Sequence, residues 1–107
     1  MVNSFNSAHP TWQHSATIAR MAKYIWWKSP AEAMEMPEKI VAQVMNIGDY
    51  KDVCSLAQEI GKEGLSEVIQ QAEPGEFNER SWHYWHYKLG LAQFEKVPPL
   101  PTRQLLG

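Results

Sequence analysis

Arg80-Ser81-Trp82-His83-Tyr84-Trp85-His86-Tyr87-Lys88-Leu89-Gly90 crowds four aromatic side chains and two of the chain's four histidines into eleven residues. Its signals are those of one helix. Asn78 stands at the N-cap, Glu79 sits in the first turn where the helix dipole favours an anion, Lys88 sits in the last turn, and Gly90 is placed to end it. Trp82, Trp85, His86 and Leu89 recur at i, i+3, i+4 and i+7, so they share one stripe fit for burial. His83, Tyr84 and Tyr87 point elsewhere. A helix aromatic on several faces is either wrapped by the rest of the chain or offers one face to a partner.

Outward from this segment the chain reads as further short helices. Pro37-Glu38 opens one whose stripe is Ile40, Val41, Val44 and Met45, and Gly48 is its stop. Asp49 caps the next, where Val53, Leu56, Ala57 and Ile60 share a face until Gly61. Leu65, Val68, Ile69 and Ala72 then form another before Pro74-Gly75 turns the chain. Ser29-Pro30-Ala31-Glu32 carries the polar cap, first-turn proline and early acid of a helix start. From Ser15, the residues Ile18, Met21, Ala22 and Ile25 recur at helical spacing, and the helix is expected to run to about Trp27. One helix cannot bury both Trp26 and Trp27 on a single face, so one ring is expected to pack against the following segment or a neighbouring molecule.

The ends read differently. Residues 1–13 are polar and are expected to be flexible unless Trp12 is pinned down. Residues 91–107 contain Val97-Pro98-Pro99-Leu100-Pro101, which cannot form a regular helix and reads as an extended arm, with Phe94, Val97 and Leu100 able to lie on the domain or on a partner. No segment carries a convincing strand period. The expected fold is therefore an all-α single domain over 1–107: a small bundle of about five short helices, the aromatic one near its centre, with an irregular N-terminus and a Pro-rich C-terminal arm.

The 107 residues allow a modest core, and 44% hydrophobic with 21% charged residues is a globular composition. The outlier is tryptophan, five in all, each needing an acceptor for its indole N–H when buried. A net charge of −2 gives no long-range pull toward nucleic acid or an anionic membrane. Cys54 is the single cysteine, so no internal disulfide can form. With no secretory-type start and no apolar run near the roughly 18 residues of a membrane span, the expectation is a cytoplasmic protein that binds no membrane.

Chemical motifs are sparse. His83 and His86 stand at i, i+3, but a metal site needs further ligands, and the chain offers none at a telling spacing; a packed histidine is the plainer role. Cys54 has no neighbour in sequence that would lower its pKa, so no nucleophile is expected there. Gly61-Lys62-Glu63-Gly64 follows a helix rather than a strand and reads as a helix corner, not a phosphate loop. Glu32 and Glu35 suit a solvated face. No catalytic residue, metal or cofactor is expected. The two helices from Val53 to Gln71 meet at a glycine turn, as in a helix-turn-helix, although Glu63 and Glu67 on the second would meet phosphates with the wrong sign.

From about Pro37 onward, four segments carry a resemblance: Met45-Asn46-Ile47-Gly48-Asp49-Tyr50, Gly61-Lys62-Glu63, Pro74-Gly75-Glu76-Phe77-Asn78-Glu79-Arg80-Ser81-Trp82 and Lys88-Leu89-Gly90. They make roughly half the chain resemble a family of small uncharacterised bacterial proteins. Such proteins are commonly encoded beside AbiEii-type nucleotidyltransferase toxins, and the family has no agreed catalytic motif. The resemblance implies an antitoxin that neutralises such a toxin by binding it, not an enzyme. Trp27, Arg80, His83 and Tyr87 are the expected contacts, since Trp, Tyr and Arg are the usual interface anchors. A homo-oligomer is the other partner considered, and a helix-turn-helix-like DNA-binding regulator is the alternative function.

Overall fold

The structure, a computed structural model, describes residues 12, 14–93 and 96–101. The expected flexible segment, apart from Trp12, together with Phe94 and the end of the arm, lies outside the described residues. Among the described residues five α-helices follow in order: α1 (Ala16–Arg20), α2 (Pro30–Met34), α3 (Pro37–Ile47), α4 (Tyr50–Gln70) and α5 (Glu79–Lys88), with a 3-10 turn (Met21–Tyr24) after α1. No strand occurs among the described residues, so the all-α expectation holds.

The starts follow local chemistry. Ser15 accepts from the Ile18 amide, Ser29 from Glu32, Asp49 from Asp52 and Asn78 from Ser81, so each side chain satisfies an N–H that the first turn leaves without a partner. Ser29 and Glu32 complete a capping box, and those hydrogen bonds hold the Glu32 carboxyl below its usual pKa. Pro37 sits in the first turn of α3, where its missing N–H costs nothing. Within α4, Gly61 adopts φ 72° and ψ 172°, which breaks the helix into two at the glycine where the apolar stripes end one run and begin the next. At the far end of α5, Gly90 takes φ 70° while its amide donates to Tyr87 O and the Leu91 amide to His86 O. Those two bonds form a Schellman closure.

The N-terminal helix departs from expectation. It stops at Arg20, and the 3-10 turn advances about 120° per residue instead of 100°. Met21, Ala22 and Ile25 all enter the core, and the chain has left the helix before it reaches Trp26 and Trp27. Those two rings stand 70% and 58% exposed, meeting each other edge to face at 4.7 Å. Neither is buried by the following segment, because no helical stripe carries them inward.

The middle of the molecule is α3 rather than α5. Ile40, Val41 and Val44 are fully buried, and α3 touches α1, the 3-10 turn, α2, α4 and α5. Leu56, Leu65, Val68 and Ile69 close the core from α4, while Trp82 and Trp85 of α5 and the C-cap residue Leu89 close it from the other side. Trp12 is buried against Gly64, whose missing side chain makes room for the indole. The described part of the arm, residues 96–101, lies on the domain itself: Trp82 Nε1 donates to Pro98 O at 2.7 Å, and Val97 and Leu100 pack against the core.

Candidate functional site: an aromatic groove between α4 and α5

The last carbonyls of a helix have no partner inside it. In α3 they are met from a distance. Trp85 Nε1 donates to Met45 O at 2.8 Å, Ser81 Oγ to Asn46 O at 2.9 Å, and the Asn46 side chain accepts from the Asn78 amide at 2.9 Å. The start of α5 is thereby pinned to the end of α3. Gly48 and Asp49 then send the chain directly into α4, so α4 and α5 diverge from one corner and leave a groove between them.

Two hollows make up this groove, sharing Tyr50, Val53, Tyr84 and Trp85 as walls. The one at the α3 end measures 470 Å³ and adds Ile47, Gly48, Arg80 and Ser81. The other, 300 Å³, runs toward the Gly61 break and adds Cys54, Ala57, Leu65, Leu89, Lys62 and Lys88. Its walls are exposed aromatics: Tyr50 is 85% exposed and Tyr84 52%. The Tyr50 hydroxyl shares a hydrogen bond with Cys54, and that bond raises its pKa. No carboxylate lines either hollow among the described residues.

The residues singled out in the sequence divide between two places. Arg80, His83 and Tyr87 lie on the outward side of α5, with Arg80 lining the groove. His83 is half-buried, its Nδ1 donating to Glu79 O at 2.9 Å, and its ring meets Tyr87 at 6.3 Å. Trp27 lines a separate 480 Å³ concavity with Met36, Ala42 and Glu73 and does not reach the groove. His86 is buried, donates from Nδ1 to Trp82 O at 2.8 Å and meets the Trp82 ring at 4.3 Å with the two planes tilted by 57°. The two histidines therefore serve different faces of α5, and among the described residues no group of three or more His, Cys, Asp or Glu is placed to hold a metal ion.

Sequence reasoning missed Tyr50 and Tyr84 as neighbours. For Tyr84 the available signal was that it falls off the apolar stripe of its helix; Tyr50 shares a face with Val53 and Ala57, so its exposure at the first turn of α4 left no such signal. After the Gly61 break, Lys62, Glu63 and Gln70 are exposed while Leu65, Val68 and Ile69 face the core. Among the described residues no helix is long and apolar enough to cross a membrane. No protein-family model, curated protein or solved structure matches the chain.

Proposed function

We propose that the chain is a non-catalytic, cytoplasmic protein-interaction module, the antitoxin that binds and neutralises a nucleotidyltransferase-like toxin. The observation that carries the interaction is the exposed aromatic rim of the groove, where Ile47, Tyr50 and Tyr84 stand beside Arg80. Large apolar side chains held in water gain most when a partner covers them, and Tyr and Arg are frequent anchors of such interfaces. The class of partner rests on the resemblance to antitoxin-like proteins. Gly48, Tyr50, Arg80 and Ser81 belong to the segments that carry this resemblance, and they line the groove.

The test is co-expression with the nucleotidyltransferase encoded beside the gene, reading growth and the dissociation constant of the purified pair. The wild-type chain should restore growth and bind, and the Arg80→Ala/Tyr84→Ala variant should bind roughly 100-fold more weakly, the loss expected of two anchors. A wild-type chain that neither binds nor protects ends the proposal. The Gly61 break keeps the helix-turn-helix alternative in view, and a salt-sensitive shift of promoter DNA without toxin binding would put a DNA-binding regulator in the antitoxin's place.

A further inference from the structure

We infer that the groove between α4 and α5 receives an acidic amphipathic segment of the protein partner, apolar side chains down and carboxylates outward. This rests on the interaction reading and adds the chemistry of what is bound. The argument is charge complementarity. The chain has twelve acidic and ten basic residues, yet the groove departs from that average: Arg80 lines one hollow, Lys62 and Lys88 the other, and no carboxylate lines either among the described residues. No ion pair within the described residues engages these three cations. Between them the floor is apolar, built from Val53, Ala57, Leu65, Trp85 and Leu89.

Size and charge then narrow the occupant. The two hollows, 470 and 300 Å³, lie in the lower half of the ~300–1,000 Å³ range of small-molecule sites and share four wall residues, which suits a row of side chains laid in from a larger body. An apolar floor with cations at its edges is the complement of an amphipathic segment bearing Asp or Glu. A nucleic-acid strand would find two tyrosines to stack on, but few cations along its backbone and a net negative chain behind them.

The probes are three fluorescein-labelled amphipathic helical peptides with one leucine stripe and a polar face of all Glu, all Gln or all Lys, plus a labelled oligo-dT. Each is titrated into the full chain by anisotropy at low and high salt. The Glu peptide should bind roughly tenfold tighter than the Gln peptide and tighter still than the Lys peptide, with the gap shrinking in salt. The Lys62→Glu/Lys88→Glu variant, whose changes are on exposed side chains and whose fold is checked by circular dichroism, should reverse the order. Equal affinities, no binding by any peptide, an unreversed order or tighter binding of oligo-dT would each overturn the inference. The toxin separates this from the broader reading. A charge-reversed variant that still neutralises toxin, with no Glu preference in the wild type, removes the acidic segment and leaves the antitoxin. Glu preference without toxin binding does the opposite.

Discussion

Tyr24 shows how one hydroxyl joins three segments. It donates to Asp52 Oδ2 at 2.7 Å and accepts from the Asp49 amide at 3.2 Å, and Lys23 sits 3.4 Å from the same carboxylate. The Tyr24 hydrogen bond holds the Asp52 carboxyl below its usual 3.8. A carboxyl with a depressed folded pKa contributes stability that is complete above its unfolded pKa and lost as pH falls through the folded one. Wild-type melting temperature should therefore drop as pH falls below 3.8, and Asp52→Asn should make that drop shallower. Burial, then the bond to Asp52, raises the Tyr24 hydroxyl above 10.0, so its contribution holds below pH 10 and fades as alkali ionises it. Tyr24→Phe should cost about 1 kcal/mol at neutral pH in urea unfolding, remove the alkaline effect and weaken the acid one, which Lys23 beside Asp52 still supports. The sequence announces none of this, since Tyr24, Asp49 and Asp52 meet only through the fold.

At the scale of the element, the caps were legible and the breaks partly so. Ser29, Asp49 and Asn78 act within three residues of themselves, so their roles can be read locally. The Gly61 corner was legible for the same reason. Its φ and ψ lie in a region essentially reserved for glycine, while a Cβ there would meet nothing within 4 Å. Gly61→Ala should thus cost about 1–3 kcal/mol through backbone strain alone, read as a lowered urea midpoint with an unchanged slope. Gly64→Ala meets a different obstacle: its Cβ would stand 3.1 Å from both the Ile60 Cβ and the Trp12 ring, so a neighbour has to shift to admit it. The end of α1 was not legible, because the path of the chain beyond Arg20 is decided by Tyr24 reaching α4 and not by the local stripe. The arm is the other nonlocal case. Trp82→Phe keeps an aromatic ring at the position but removes the donor to Pro98, and trypsin should then cut after Lys96 faster than in the wild type.

Over the whole molecule, the five tryptophans fall into two populations: Trp12, Trp82 and Trp85 are buried, and Trp26 and Trp27 are exposed. Iodide should quench a minor, red-shifted part of the emission, and Trp26→Phe/Trp27→Phe should abolish that part with little change in melting temperature. A double variant whose quenchable fraction persists would place the exposed indoles elsewhere. The candidate site escaped the sequence for a reason of the same scale. Tyr50 and Tyr84 become neighbours only because α3 ends where α5 begins to cap it, and the cap is made by an indole and a serine hydroxyl whose acceptors are backbone carbonyls. Backbone acceptors leave no trace in side-chain pattern.

Trp85 has one further consequence. Its ring is floor to both hollows, and its N–H is committed to Met45 O, while Trp82 spends its own N–H on the arm and lines neither hollow. The molecule thus carries a gauge and a reference of the same chemical kind. In a nitrogen-15 spectrum the Trp85 indole resonance should move as the groove fills while that of Trp82 stays in place, so occupancy can be followed without attaching a label to either partner.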